Sequence, residues 1–173
     1  MYSLEKTGNR RAPTEHTGVE APRRLRVLVA EDSRLLAEAL MFSLDTEPKL
    51  EPIGYALDGW EALEYMLTLE PDVVLVGPRL TGLSPHRFCQ FAHELFPSVL
   101  LIMLCERLVP EAVESAYAAG VADCLPLERS VDQLLRSIAA AQMRRQTFER
   151  GRRRAALTPA LSLVPSGGVD ARP

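Results

Sequence analysis

From Leu25 onward, short apolar runs alternate with longer segments whose apolar residues recur at helical spacing. The runs Arg26–Ala30, Leu50–Ala56, Val73–Val76, Val99–Leu104 and Ala122–Leu125 are predicted strands. Between them, Arg34–Asp45, Trp60–Leu69, Arg87–Phe96 and Pro110–Ala119 are predicted helices, and a last one runs from Ser130 onward. The first helix presents Leu35, Leu36, Ala39 and Leu40, the fourth Val113, Ala116 and Tyr117. In the last, Val131, Leu134, Leu135, Ile138, Ala139 and Met143 form a stripe expected to pack on a sheet. Boundary residues agree with this register. Ser33, Asp58 or Gly59, Ser84 with Pro85, and Ser130 open helices; Pro110 suits a first turn and Gly120 a terminus. Strands of nearly continuous Val, Leu and Ile are buried on both faces, which implies a parallel sheet. Five β-α units with short connections predict a doubly wound α/β sandwich. The pattern alone leaves the strand order open.

The 173 residues and 47% hydrophobic content suit one core with tails. No apolar run approaches the ~20 residues of a membrane span, and Met1 to Arg24 holds no signal-peptide segment, so a cytoplasmic protein is expected. Residues 1–24 lack periodicity and are expected to be disordered. Charge is uneven along the chain. Leu25 to Gln142 carries 8 basic and 18 acidic residues, a net of −10, whereas residues 143–173 carry 7 Arg against Glu149 and Asp170, a net of +5. Cys89, Cys105 and Cys124 have neither CxxC spacing nor histidines at ligand spacing, which argues against zinc and against a disulfide framework.

Several spaced elements between residues 25 and 142 agree with one family. Glu31-Asp32-Ser33-Arg34-Leu35-Leu36 follows the first strand, and Ala56-Leu57-Asp58-Gly59-Trp60-Glu61-Ala62-Leu63 the second. Leu80-Thr81-Gly82 follows Val73–Val76, and Ala118-Ala119-Gly120-Val121-Ala122 precedes the fifth strand. Together these resemble the receiver domain of bacterial two-component response regulators, most closely receivers that precede a helix-turn-helix output domain. The resemblance implies a flavodoxin-like (βα)5 sheet of order 2-1-3-4-5, with the functional pocket at the carboxyl ends of the strands.

What the resemblance implies about chemistry is mostly loss. The family's phosphoacceptor aspartate falls at Gly77, which has no side chain to phosphorylate. In receivers two acidic residues, the acceptor and a carbonyl two residues later (here that of Arg79) hold Mg²⁺. Glu31 and Asp32 keep the acidic pair, so a weak or vestigial Mg²⁺ site is expected and no other cofactor. Counting from Gly120 puts Cys105 at the hydroxyl position of the switch and Leu127 at the lysine position, and Cys124 replaces the aromatic reporter. A thiol is a weak donor and Leu carries no charge. Four lost elements together imply that phosphoryl transfer does not occur here and that phosphotransfer from a sensor kinase is not expected. Cys105 and Cys124 fall on neighbouring strands, where packing as small apolar residues outweighs a regulatory disulfide. His86 and His93, without a nucleophile to pair with, read as non-catalytic.

The remaining expectations concern partners. In receivers, the surface of the fourth helix, fifth strand and fifth helix docks partners or dimerises. Here Leu108, Val109, Ala112, Tyr117, Leu125 and Leu127 make it more apolar, so a protein partner or a homodimer is expected. Residues 143–173, a basic helix extension and tail, are too short for a helix-turn-helix output module. Their Arg cluster leaves nucleic acid as the alternative partner, although only Phe148 interleaves it. No Gly-rich phosphate loop or nucleophile-base pair points to an enzyme.

Overall fold

The structure is a computed structural model that describes residues 23–144. The expected N-terminal disorder therefore lies outside the described residues except for Arg23 and Arg24, and the basic extension except for Met143 and Arg144. Five strands and five helices alternate: β1 (Leu25–Ala30), α1 (Arg34–Asp45), β2 (Leu50–Ala56), α2 (Gly59–Leu69), β3 (Val73–Val76), α3 (Pro85–Leu95), β4 (Leu100–Cys105), α4 (Pro110–Ala118) and β5 (Asp123–Pro126). The last helix, α5, covers residues 131–144, up to the end of the described chain. All four strand pairings are parallel and the order is β2-β1-β3-β4-β5, the flavodoxin-like arrangement. Among the described residues, no helix is long and apolar enough to cross a membrane.

Strand alternation divides the core into two layers. Leu28, Ala30, Val74, Val76, Leu101 and Cys124 face α2, α3 and α4, packing on Ala62, Met66, Phe88, Cys89, Ala92 and Ala116. Val27, Val29, Val73, Leu75, Ile102 and Leu104 face α1 and α5, packing on Ala37, Leu40, Leu44, Leu134 and Ile138. The prolines Pro52 and Pro126 sit on the two edge strands, where a missing ladder donor is tolerated.

The caps act as the sequence predicts. Ser33 Oγ accepts from the Leu36 amide, Ser84 Oγ from Arg87, and Ser130 Oγ from Gln133. Asp58, rather than Gly59, caps α2, accepting from the Trp60 and Glu61 amides at 2.7 and 3.0 Å. Because Ser84 is the N-cap and Pro85 the first helical residue, α3 starts two residues before the predicted Arg87. Two helix faces differ from expectation. In α1 the buried residues are Ala37, Leu40 and Leu44, while Leu35 is 80% exposed and Ala39 is exposed. The run Leu35-Leu36-Ala37 offers apolar groups to more than one face, and the sheet takes the one carrying the small Ala37. In α5 the buried residues are Leu134, Ser137, Ile138 and Ala141, while Ala139 and Met143 are exposed. Ser137 can turn inward because its hydroxyl donates to Asp123 Oδ2 at 2.6 Å.

Candidate functional site at the strand ends

The carboxyl ends of β1, β3, β4 and β5 form one edge that gathers Glu31, Asp32, Gly77, Cys105 and Leu127. Ala30 and Val76 are the last registered pair of β1 and β3, and the Gly77 amide donates to Ala30 O at 2.8 Å. Across β4 and β5 the Leu127 amide donates to Cys105 O at 2.9 Å. The loop after Gly77 is pinned to the start of α2. Thr81 Oγ1 donates to Leu57 O at 3.1 Å, and the Gly59 amide to Thr81 O at 3.0 Å. Gly82, at φ +72°, allows the turn that brings this loop back.

Glu31 and Asp32 are adjacent in sequence but sit in opposite environments. Glu31 is fully buried, its Oε1 accepting from the Ser33 amide at 2.9 Å and its Oε2 without a hydrogen-bond partner. Burial pushes its pKa above the usual carboxylate range, the Ser33 amide works against that, and the neighbouring Asp32 adds to it. The Asp32 side chain is 25% exposed and faces Arg79, whose Nε lies 4.0 Å from Oδ1. Arg79, noted in the sequence for its carbonyl, thus also sets its guanidinium beside the acidic pair. So wide and exposed a pair contributes little to stability.

This donor set does not fit Mg²⁺ as it stands. The ion needs several hard oxygens in a near-octahedral shell. Here one carboxyl is sealed in the interior, the other faces a guanidinium, and Gly77 supplies nothing. Among the described residues no cluster of three or more His, Cys, Asp or Glu is placed to hold a metal.

Cys105 is half-buried and lines an open cleft of about 490 Å³ with Pro78, Arg79, Met103, Leu104, Glu106 and Arg107. Cys124 and Cys89 are buried in the layer against α2, α3 and α4, and all three thiols are free. Burial pushes both Cys89 and Cys124 up to about 12 and moves Cys105 in the same direction. One of the two histidines differs from expectation in having a hydroxyl partner. His86 Nδ1 lies 3.4 Å from Ser115 Oγ, and His93 packs beside Gly120.

The six apolar surface positions divide. Leu108, Val109 and Tyr117 are 50%, 45% and 48% exposed, and Ala112 is exposed with them. Leu125 and Leu127 are half-buried instead, packed on the α1–α5 layer. Tyr117 also holds the fold together: its hydroxyl donates to Asp123 Oδ1 at 3.1 Å, on the carboxylate that receives Ser137.

No family model matches the chain. Solved structures do. The chain is similar to the signal receiver domain of a modulated diguanylate cyclase from Desulfovibrio desulfuricans G20, at 25% identity and TM-score 0.63, over 72% of this chain and 98% of that one. It is also similar to the response regulator domain of Thermotoga maritima CheB, at 25% identity and TM-score 0.62, over 69% of this chain and 96% of that one. The fold is that of a response regulator receiver domain.

Sequence relatives of this receiver domain include a protein-glutamate methylesterase/protein-glutamine glutaminase of Geobacter sulfurreducens, 34% identical over 60% of this chain and 29% of the relative. Another is the uncharacterized transcriptional regulatory protein YvfU of Bacillus subtilis, 33% identical over 72% of this chain and 62% of the relative. The chain therefore spans less than two thirds of either. Two features of the receiver domain were not foreseen from its sequence. The inward turn of Glu31 sets its carboxyl beside Gly77, 46 positions away along the chain, and leaves no local signal. Trp60 stacks on Phe91 at 6.2 Å with the Arg87 guanidinium 5.6 Å from the Phe91 ring, and their i,i+4 spacing on α3 was the available clue.

Proposed function

We propose that this receiver domain serves two-component signalling as a protein-interaction module whose output does not depend on aspartyl phosphorylation. The observation that carries the reading is Gly77 at the end of β3, with the Glu31 carboxyl lying where an acceptor side chain would stand. Cys105, Leu127 and Cys124 support it, since a weakly donating thiol, an uncharged side chain and a second thiol stand where the family has a hydroxyl, a lysine and an aromatic. The exposed Leu108, Val109, Ala112 and Tyr117 are the contact surface of this reading, and a second copy of the chain is the partner they suit. No turnover is assigned to the site.

The experiment is phosphorylation itself. Incubation with acetyl phosphate and Mg²⁺ should leave the intact mass unchanged, and a gain of one phosphoryl group would overturn the reading. One observation favours a second reading, a DNA-associated regulator: residues 144–154 hold six arginines, and one relative is named a transcriptional regulatory protein. A gel shift abolished by removing residues 145–173 would select that reading.

A further inference from the structure

We propose that the groove between α2 and α3 is the seat of a basic, apolar segment of this same chain, residues 150–164. This inference goes beyond the proposed function and stands or falls separately from it.

The groove is built by two helices that leave large apolar residues outside. α2 and α3 lie on the same layer of the sheet and run in the same direction, since each joins one parallel strand to the next. Trp60 of α2 stacks on Phe91 of α3, with ring centroids 6.2 Å apart. Leu67 stands two turns beyond Trp60 and Leu95 one turn beyond Phe91, so they continue the same two flanks toward the helix ends. Trp60, Leu67 and Leu95 are 53%, 70% and 64% exposed. Scattered apolar residues mean little, but residues aligned along one groove form a contiguous patch of the kind that marks a contact. The exposed Leu35 and Phe42 of α1 differ in lying on a single helix, beside an Arg34 already paired with Glu38.

Charge decides what can fill the groove. Glu64 lies between Trp60 and Leu67 on the outer face of α2, Glu70 follows the last turn of that helix, and Glu94 adjoins Leu95; all three are exposed. None of them is in an ion pair with a described residue. Arg87 is the one arginine or lysine on either helix, and it already lies over the Phe91 ring. A second copy offering the same groove would set acid against acid, so the occupant has to be basic as well as apolar. Residues 150–164 are both. Arg150, Arg152, Arg153 and Arg154 precede Leu157, Leu161, Leu163 and Val164, with no acidic residue among them. Residues 1–24, by contrast, mix Glu5, Glu15 and Glu20 with their cations.

The segment is within reach. Arg144 donates to Ala122 O and the Ala122 amide to Leu101 O, so the chain departs beside the start of β4. Leu95 precedes Leu100, the first residue of β4, by five positions. Five residues and one strand spacing amount to at most about 22 Å, whereas residues 145–154 span up to about 33 Å when extended. A tethered segment meets its own groove at an effective concentration of the order of millimolar, which favours it over a neighbour's segment in dilute solution. At high protein concentration the same contact can be exchanged between copies.

Trp60 is the one tryptophan of the chain, so its fluorescence reads the groove directly. The experiment is acrylamide quenching of the full chain, at concentrations where light scattering finds a monomer. Leu157→Asp/Leu161→Asp changes no residue of the described fold and should raise the Stern–Volmer constant about twofold, because a seated segment excludes solvent as a protein interface does. Salt at about 1 M, where screening acts beyond about 3 Å, should raise the constant of the parent. Glu64→Arg/Glu94→Arg should raise it too, and Arg152→Glu/Arg153→Glu added to that variant should lower it again. Equal quenching of the parent and the Leu157→Asp/Leu161→Asp variant would overturn the proposal and leave the groove to another molecule. Protection that fades when the parent is diluted would give the seat to a neighbouring copy and overturn the intramolecular contact. Acetyl phosphate labelling bears on the proposed function, and quenching of Trp60 bears on this groove.

Discussion

Three thiols share one layer of the molecule, yet their surroundings set them apart. Cys89 and Cys124 lie inside the core with their thiols held up to about 12, so almost no thiolate exists at neutral pH. Cys105 borders the cleft, half-buried, and burial raises it as well. Iodoacetamide at neutral pH should therefore modify Cys105 slowly in the folded protein and the other two only after guanidinium is added. Peptide mass mapping with and without denaturant checks this, and equal labelling of Cys124 and Cys105 in the native state would contradict it. At this scale the sequence was half legible. Gly77 could be read off the end of the apolar run Val73–Val76, and Cys105 and Leu127 could be counted off from Gly120. The orientation of Glu31 could not, because the space its carboxyl occupies lies beside Gly77, on another strand.

Elements were more legible than faces. Apolar runs fixed the strands to within a residue, since a fully buried parallel strand leaves little room for other residue types. Ser33, Asp58 and Ser84 opened their helices because each supplies an acceptor to amides that would otherwise lack one. The faces of α1 and α5 were misread where polarity and burial part company, at exposed Leu35 and at inward Ser137. Asp58 offers the clearest test at this scale. It serves two amides of α2, and its backbone bridges to Thr81 in the loop after β3. Asp58→Ala should lower unfolding stability by about 1 kcal/mol, read as a lower urea midpoint with an unchanged slope. A shift indistinguishable from zero would mean that water replaces the cap.

For the molecule as a whole, charge and exposed apolar surface point the same way. Residues 25–142 carry a net −10 and residues 143–173 a net +5, so the self-association proposed above would set the basic end of one copy against the acidic body of another and bury the four exposed α4-side residues. Light scattering should show self-association that grows with concentration and weakens with salt, since exposed charges are screened beyond about 8 Å at physiological ionic strength. A monomer at high concentration and low salt, unchanged by removal of residues 145–173, would contradict this.

The position of Arg144 sets the geometry of any message passed through this fold. Its guanidinium donates to Ala122 O at 2.9 Å, just ahead of β5, while α5 begins past the opposite end of that strand. The rest of the chain thus departs about 20 Å of helix away from the edge that gathers Glu31, Gly77 and Cys105. Over that span α5 is a lever arm: a tilt of a few degrees near Leu127 swings its far end by about 1–2 Å. The Tyr117–Asp123–Ser137 tie joins α4 to the middle of that arm, so a displacement of α4 is passed to α5 without going through the strand ends.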